Sequence, residues 1–289
     1  MPAWLSIFAR FCSCGRRGPA VYPAAQENAP VTLLLLGLDG SGKSTVLERL
    51  RKEKLKESIA PTWGFVAVTL KPPSPKLPPV RVFDVGGHDR IRGIWANYYA
   101  ETHGIVFVVD GTDVARFAEA RKVLHAAFDD ARAAGKPLLL LINKRDKQGY
   151  QGRAATLAAL GVRDVAGTAP TAKPSSSTDL AAHVFEISAT HAAQNGQAID
   201  AGLQIGFHHF LQQIGYDRAA LDPRIAADTA AQRKAYEVEL EQRRSRISVM
   251  REEKEKEKVA AAAAQDPDTA KTGMVGEGAH GGKAPHASS

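Results

Sequence analysis

The 289-residue sequence has only two cysteines, Cys12 and Cys14, and no long hydrophobic run. The longest aliphatic stretch lies within Val31 to Leu38, far short of the ~20 residues that a membrane-spanning helix needs. Two cysteines so close together cannot form a disulfide framework for a domain of this size. No lysine or arginine precedes the apolar N-terminal residues, as a secretory signal would require. We therefore expect the folded part to be cytosolic.

Glycine and proline are both missing from Arg224 to Gln265, and this stretch is rich in good helix formers. Acid-first i,i+4 pairs such as Glu239 with Arg243 support a helix that is exposed to solvent. Its apolar residues are too sparse for a stable coiled coil: Leu240, Ile247 and Met250. The sequence predicts a long charged helix over residues 216–265, either solvated or used to dock a partner, followed by a disordered tail over residues 266–289.

The charge balance is basic, with a net charge of +7 and a pI near 9.4. Such a balance favours acidic neighbours, including anionic lipids and nucleic acid. Many of the cations lie in the C-terminal run, however, where glutamates nearly balance them. We therefore expect no nucleic-acid partner.

Residues 1–18, MPAWLSIFARFCSCGRRG, place apolar side chains at helical spacing ahead of two arginines. This pattern indicates a short amphipathic helix at a membrane surface, with Cys12 and Cys14 as predicted palmitoylation sites. The alternative is a helix that packs into a groove of its own protein, with cysteines that are simply small apolar residues.

Six short apolar runs alternate with helical patterns between residues 30 and 215: 31–36, 64–70, 80–84, 104–110, 137–143 and 183–188. Strands that are almost continuously apolar belong to sheets covered on both faces. The sequence thus predicts one α/β domain with a six-stranded, mostly parallel sheet. The proline-rich stretch 71–79 is expected to form a stiff hairpin loop, with an SH3-like docking role as the alternative, and 167–179 an unordered loop.

The first run leads into GLDGSGKST, which matches the phosphate-binding pattern G-x-x-x-x-G-K-[ST]. In this pattern glycines let backbone N–H groups surround phosphates, Lys43 reaches the β and γ oxygens, and the Ser44 hydroxyl binds Mg²⁺. The predicted phosphate-binding residues are Gly37, Asp39, Gly40, Ser41, Gly42, Lys43, Ser44 and Thr45.

The base is predicted from INKRD, which ends the fifth run. A carboxylate at Asp146 can accept both donors on the edge of guanine, whereas adenine would leave that charge unpaired. Asn143 and Lys144 complete the base-reading segment. The expected ligand is GTP or GDP.

Two further segments have the order of a nucleotide switch. Thr62 can offer its hydroxyl to Mg²⁺, Asp84 can hold the metal through water, and the Gly87 N–H can bond the γ-phosphate. Loss of that phosphate would release both segments. The next residue, His88, stands where a glutamine normally orients the attacking water, so we expect slow hydrolysis and a long-lived GTP state. The proposed catalytic set is Lys43, Thr62 and His88.

Taken in order, GLDGSGKST, PTWGF, FDVGGHDRIRGIWANYYAETHGIVFVVDGTD and INKRD resemble the motifs of Arf-like small GTPases over residues 31–215. The phrase RIRGIWANYYAE, the paired cysteines and the long charged helix resemble most closely the ciliary Arf-like subfamily numbered thirteen. The resemblance adds Ser188 and Ala189 as the loop whose backbone meets the guanine carbonyl.

Members of that subfamily are palmitoylated, concentrate in the ciliary or flagellar membrane and promote nucleotide exchange on another Arf-like GTPase. The resemblance thus implies the cytosolic face of such a membrane, an effector or substrate GTPase as partner, and a GTPase-activating protein as a further partner. Two other functions remain open: a hydrolysis-competent trafficking GTPase, and a structural adaptor that keeps its nucleotide bound. His88 argues against the former, and the intact metal-binding pattern argues against the latter.

Overall fold

The fold is known from a computed structural model, which describes residues 29–51, 62, 64–71, 77–165, 180–190 and 200–265. The predicted N-terminal anchor with Cys12 and Cys14, the loop 167–179 and the predicted disordered tail 266–289 lie outside the described residues. Among the described residues, no helix combines the length and apolar character that crossing a bilayer requires.

In the part of the chain that the structure describes, seven strands form one sheet in the order β2-β3-β1-β4-β5-β7-β6. In chain order they are β1 (Val31–Leu36), β2 (Phe65–Leu70), β3 (Val80–Val85), β4 (Gly104–Asp110), β5 (Leu138–Asn143), β6 (Val162–Asp164) and β7 (Leu180–Glu186). Strand β2 pairs antiparallel with β3, and the other described pairs are parallel. The prediction of an α/β fold with a mostly parallel sheet is confirmed.

The predicted number of six strands is wrong by one. The missed strand, β6, has only three residues and pairs with β7 at the edge of the sheet. A three-residue strand carries too little hydrophobic periodicity to be recognised in the sequence, and pairing with β7 creates it.

Among the described residues the helices are α1 (Lys43–Leu50), α2 (Asp89–Arg92), α3 (Phe117–Asp129), α4 (Gly152–Leu160) and α5 (Ala201–Gln265). Two 3₁₀ turns, Trp95–Asn97 and Val114–Arg116, follow α2 and precede α3. All residues of β1 and β5 are buried, and alternate residues of β1 enter two different hydrophobic clusters. The sheet is therefore covered on both faces, as its apolar strands predict.

Helix α5 is one continuous helix of 65 residues, so the prediction of a long C-terminal helix is confirmed, although the helix begins at Ala201 and not at residue 216. Its first turns belong to the core, where Leu203, Phe207 and Phe210 are buried. The chain divides into two compact units, residues 1–232 and 233–289. The first unit thus extends 17 residues beyond residue 215, where the motifs that predict the GTPase domain end.

The turns of α5 just before Gln232 make polar contacts within the first unit. Asp222 Oδ1 lies 3.2 Å from His103 Nε2, and the Arg224 guanidinium donates to the Ala131 carbonyl at 2.6 Å. Leu221 is buried. These contacts surround Pro223, which lies inside the helix although its ring removes one helical hydrogen bond. Tertiary packing on both sides of the proline keeps the helix continuous there.

Candidate functional site

The loop between β1 and α1 surrounds the ammonium group of Lys43. Lys43 Nζ donates to the carbonyls of Gly37 and Leu38 at 2.9 and 2.8 Å, and the side chain is buried. Burial lowers the pKa of Lys43 to about 8. A buried ammonium group is suited to bind an anion, because pairing with the anion offsets the cost of burying the positive charge.

Gly42 immediately precedes helix α1 and has a φ of 95°, in the left-handed region that favours glycine. A Cβ at Gly42 would also lie 2.3 Å from Asn143 Nδ2. Asn143 Nδ2 donates to the Ser41 carbonyl at 2.9 Å. Gly42 therefore permits both the turn into α1 and the contact that joins the phosphate-loop residues to the base-reading segment.

Ser44, Thr62 and Asp84, the three predicted metal-binding residues, lie together. The Ser44 hydroxyl donates to Asp84 Oδ2 at 2.9 Å, and Ser44 Oγ lies 3.0 Å from Thr62 Oγ1. Thr62 Oγ1 lies 3.4 Å from Asp84 Oδ2. The other oxygen, Asp84 Oδ1, is buried without a hydrogen-bond partner. Two hydroxyls beside a carboxylate with an unpaired buried oxygen form an oxygen donor set that fits Mg²⁺.

Burial raises the pKa of Asp84, and hydrogen bonds from Ser44 and Thr62 together with the charge of Lys43 oppose that rise. The carboxylate is only 3% exposed, so water contributes little to its solvation. A divalent cation at this carboxylate would favour its charged form.

Gly86 and Gly87 connect β3 to α2 and pack tightly against the neighbouring loops. The Gly86 N–H donates to Gly64 O at 2.9 Å, while Trp95 Nε1 donates to Gly86 O at 3.0 Å. A Cβ at Gly87 would lie 2.3 Å from Gly37 O, in the phosphate loop. The segment after β3 therefore touches both the Thr62 region and the phosphate loop.

His88 immediately precedes the short helix α2. Its Nδ1 lies 2.6 Å from Asp89 Oδ1 and 3.4 Å from the Arg90 amide nitrogen, and 43% of its side chain is exposed. The Arg90 amide has a closer acceptor in Asp89 Oδ1 at 2.7 Å, so the contact with Asp89 dominates. A contact this short with a carboxylate requires a proton on Nδ1. One of the two imidazole nitrogens is thus engaged at the start of α2.

An ion-pair network behind the phosphate loop has no counterpart in the sequence predictions. Arg92 donates to Gly87 O and to Glu119 Oε1, each at 2.7 Å. Arg116 Nη2 donates to Asp39 Oδ1 at 2.7 Å, and Arg116 Nε donates to Glu119 Oε2 at 2.8 Å. Hydrogen bonds from Arg116 lower the pKa of Asp39. The network joins the loop after β3 to the phosphate loop through α3.

The base-reading residues predicted from INKRD occupy the end of β5. Asn143 Oδ1 accepts the Ala189 N–H at 3.0 Å, and Asp146 Oδ1 accepts the Ser188 hydroxyl at 2.5 Å. Lys144 has a φ of 66°, and its Nζ lies 2.5 Å from Asp110 Oδ2. The structure therefore brings together both segments that were predicted to contact guanine.

Asp200 supports these segments and was missed in the sequence. Its Oδ2 accepts the Ser188 N–H at 3.2 Å and the Arg145 guanidinium at 2.9 Å, and its Oδ1 accepts the Leu203 N–H at 3.1 Å. The carboxylate thus caps α5 while it holds the Ser188 loop. An N-cap aspartate is a recognisable helix signal, but its contact with Arg145 joins residues 55 positions apart.

The remaining predicted residues lie in the same loops. Gly37, Asp39, Gly40 and Ser41 form the turn before α1, and Thr45 lies in its first turn. Asp39 and Gly40 are exposed, whereas Ser41 is buried. Binding of nucleotide and metal by these residues stays a prediction.

The ADP-ribosylation factor family model matches residues 21–205 of the chain. ADP-ribosylation factor-like protein 13B of Chlamydomonas reinhardtii is 31% identical over 198 residues, which are 68% of this chain and 34% of that protein. The chain thus spans about a third of that relative's length. ADP-ribosylation factor-like protein 4D of Mus musculus is 32% identical over 185 residues, 63% of this chain and 82% of that protein.

A chain in the solved structure of the mammalian SRP receptor superposes with a TM-score of 0.51 at 18% identity. The match covers 62% of this chain and 99% of that chain. At this identity, the similarity concerns the fold alone.

Proposed function

The chain belongs to the ADP-ribosylation factor family of small GTPases, and on that premise we propose that it is a slowly hydrolysing, membrane-anchored GTP switch whose output is partner binding. The proposed partner is another Arf-like GTPase, on which the GTP-bound form promotes nucleotide exchange. The proposed location is the cytosolic face of a ciliary or flagellar membrane. The membrane anchor, the exchange activity on another Arf-like GTPase and the ciliary or flagellar location extend the resemblance to the ciliary Arf-like subfamily.

The position of His88 is the observation that carries the proposal. Water activation needs a group that accepts a hydrogen bond from the attacking water beside the γ-phosphate. Nδ1 of His88 is instead held by Asp89 at 2.6 Å, at the start of α2. With Nδ1–H donating to Asp89, only Nε2 remains to contact the attacking water, and it can only accept. A glutamine amide can accept from the water and also donate to the transition state, so the histidine should slow hydrolysis without weakening the binding of GTP.

Binding needs a different set of residues, and these are already close together. Lys43 presents a buried ammonium group to the phosphates, while Ser44, Thr62 and Asp84 provide the oxygen atoms that would hold Mg²⁺. Bound Mg²⁺ would neutralise charge on the phosphate oxygens. Thr62 precedes strand β2, and the Gly87 amide follows strand β3. One phosphate group that contacts both could therefore order both segments.

Exposed apolar residues of β2, a few positions after Thr62, support partner binding as the output. Phe65 and Val66 of edge strand β2 are each 49% exposed. The Phe65 ring lies 5.1 Å from the ring of Tyr98, which in turn lies 5.4 Å from the ring of Phe83. Exposed aromatic residues are enriched in protein interfaces. A partner that contacts Phe65 would therefore sense the nucleotide state of the adjacent Thr62.

The experiment that tests the proposal is single-turnover hydrolysis by the full chain loaded with GTP and Mg²⁺. We compare the wild type, His88→Gln and His125→Gln, following phosphate release over hours. His125 is a matched control because its Nε2 contacts the Leu160 carbonyl at 2.8 Å, outside the candidate site. We expect His88→Gln to accelerate release at least about tenfold, since a group positioned in a transition state contributes roughly 10²–10⁴-fold.

Release from the wild type as fast as from His88→Gln would overturn slow hydrolysis and favour the trafficking GTPase. Failure of all three proteins to hydrolyse GTP, combined with nucleotide that never exchanges, would favour the structural adaptor. Asp89→Asn tests whether the contact between Asp89 and His88 Nδ1 limits the rate of hydrolysis, because the substitution weakens that contact. If that contact limits the rate, Asp89→Asn also accelerates phosphate release.

A further inference from the structure

The second compact unit contains the exposed half of helix α5, from Arg233 onward. Residues 233–258 include nine basic and seven acidic side chains, so their net charge is small. Their arrangement around the helix is nevertheless uneven. At 3.6 residues per turn, one sector of about 120° contains no acidic residue along the whole segment. We call this sector the basic face.

The basic face consists of two kinds of residue. Six are cationic: Arg233, Arg243, Arg244, Arg251, Lys254 and Lys258. Four are apolar or aromatic: Tyr236, Leu240, Ile247 and Met250. Tyr236 is 59%, Ile247 41% and Met250 50% exposed. The seven glutamates lie on the remaining circumference together with three cations, so positive charge without negative charge is confined to the basic face.

We propose that the basic face lies on an anionic lipid surface. Clusters of four to eight lysines and arginines on an amphipathic helix are typical of binding to anionic lipids. Their aliphatic stems can lie along the hydrocarbon boundary while the charged ends reach phosphate groups. Tyr236, Ile247 and Met250 would enter that boundary between them. This inference goes beyond the proposed switch function and uses no residue of the candidate nucleotide site.

The spacing of the apolar residues argues against a helical protein partner. A coiled-coil seam needs apolar residues at successive a and d positions. On the basic face, Arg243 interrupts the series between Leu240 and Ile247, and Lys254 follows Met250 where the next apolar residue is due. Four apolar residues on this face, over a segment of 26 residues, give a weak hydrophobic seam.

The charge argues against self-association through this face. Two copies that meet face to face would place six cations of one chain against six of the other, which is repulsive. The segment is about 39 Å long at 1.5 Å per residue. A bilayer with anionic headgroups offers negative charge over that entire length, and a straight exposed helix can lie flat on it.

The test compares two triple variants of the full chain with equal changes in net charge. The face variant carries Arg243→Gln, Arg251→Gln and Lys254→Gln. The control variant carries Lys234→Gln, Arg246→Gln and Lys256→Gln, which all lie outside the basic face. All six side chains are exposed. Glutamine is also a good helix former, and circular dichroism checks that helicity is kept.

Sedimentation with vesicles measures the partition coefficient. One set of vesicles is phosphatidylcholine alone, and the other also contains about 30 mol% phosphatidylserine, which gives a negative surface potential. We expect the wild type to bind the anionic set more strongly. The face variant should lose at least about tenfold in partitioning, because each cation beside an anionic bilayer contributes roughly fivefold. The control variant should lose much less.

Three outcomes would overturn the proposal: equal losses in the two triple variants, equal binding to the two vesicle sets, or no binding at all. The predicted anchor in residues 1–18 could bind vesicles by itself. The same comparison is therefore repeated with Phe8→Ser and Phe11→Ser in every protein. GTP hydrolysis by these variants should match the wild type, so failure here is distinguishable from failure of the proposed switch function.

Discussion

Replacing Asp200 with asparagine should weaken the binding of guanine nucleotide and destabilise the fold together. The carboxylate is 6% exposed and accepts three hydrogen bonds, from the amides of Ser188 and Leu203 and from the guanidinium of Arg145. Asparagine keeps one acceptor oxygen, so it can satisfy one amide but not both. Its amide group would face either the Leu203 N–H or the Ser188 N–H and Arg145, and all of these groups can only donate.

The magnitude follows from these contacts. Loss of an N-cap costs about 0.5–2 kcal/mol, and a buried amide left without an acceptor costs about 1–3 kcal/mol. Arg145 is 48% exposed, so solvent screens its ion pair with Asp200 and we add little for it. Since asparagine preserves one of the two amide contacts, we expect a total loss of about 1–3 kcal/mol in the free energy of unfolding.

Part of that loss should appear in nucleotide affinity, because the Ser188 loop must be ordered to meet the base. A share of about 1–2 kcal/mol corresponds to a roughly 5–30-fold faster dissociation of GDP. The assays are urea unfolding and the release of fluorescent GDP. Asp217→Asn is the matched control, since Asp217 lies on the same helix and accepts only the Gln213 side chain at 2.9 Å among its described contacts. Unchanged GDP release in a destabilised Asp200→Asn protein would refute the reasoning.

Three further changes have definite expected results. Gly87→Ala should lower the affinity for GTP at least about tenfold, because its Cβ would lie 2.3 Å from Gly37 O. The affinity for GDP should fall less, and fluorescent nucleotides measure both affinities. Arg92→Gln should reduce the free energy of unfolding by about 2 kcal/mol in urea, because the partly buried guanidinium loses its bonds to Gly87 O and Glu119. Burial lowers the pKa of His103 below its usual 6.5, so stability should fall as the pH is lowered from that value, and His103→Gln should flatten the dependence measured by urea unfolding.

Each of these changes has a control of the same type. Gly93→Ala places its Cβ in open space and should leave nucleotide affinity unchanged. Arg90 is exposed, so Arg90→Gln should cost less than about 0.5 kcal/mol. His125→Gln should leave the pH dependence intact. Equal effects of change and control in any pair would contradict the structural reason given for it.

The sign of the His103 prediction follows from its contacts. Its Nδ1 accepts the Thr32 N–H at 3.0 Å, and its Nε2 lies 3.2 Å from Asp222 Oδ1. Protonation would remove the acceptor for Thr32, and burial also disfavours the charge, although Asp222 opposes both effects. The folded state therefore binds fewer protons than the unfolded chain just below pH 6.5, and stability must rise with pH there.

The strands were predictable because local signals specify them. β1 and β4 have the predicted bounds, since long apolar runs end at glycine and charged residues. β7 begins three residues earlier than predicted, at Leu180, because pairing with β6 lengthens it. The stretch of α5 up to Gln232 shows the limit of sequence patterns. Its place in the first unit depends on contacts such as Asp222 with His103, which join residues 119 positions apart.

In the candidate site, too, some features could be predicted from the sequence and others could not. Ser44, Thr62 and Asp84 could be inferred from order and spacing because Ser44 lies in the first turn of α1, Thr62 precedes β2 and Asp84 lies near the end of β3. The orientation of His88 could not, because it depends on which neighbour its ring contacts. Asp89 follows it directly in the sequence, yet an aspartate there could equally point into solvent. Only the contact at 2.6 Å shows that Asp89 engages Nδ1 of the imidazole, which leaves Nε2 alone to contact the attacking water.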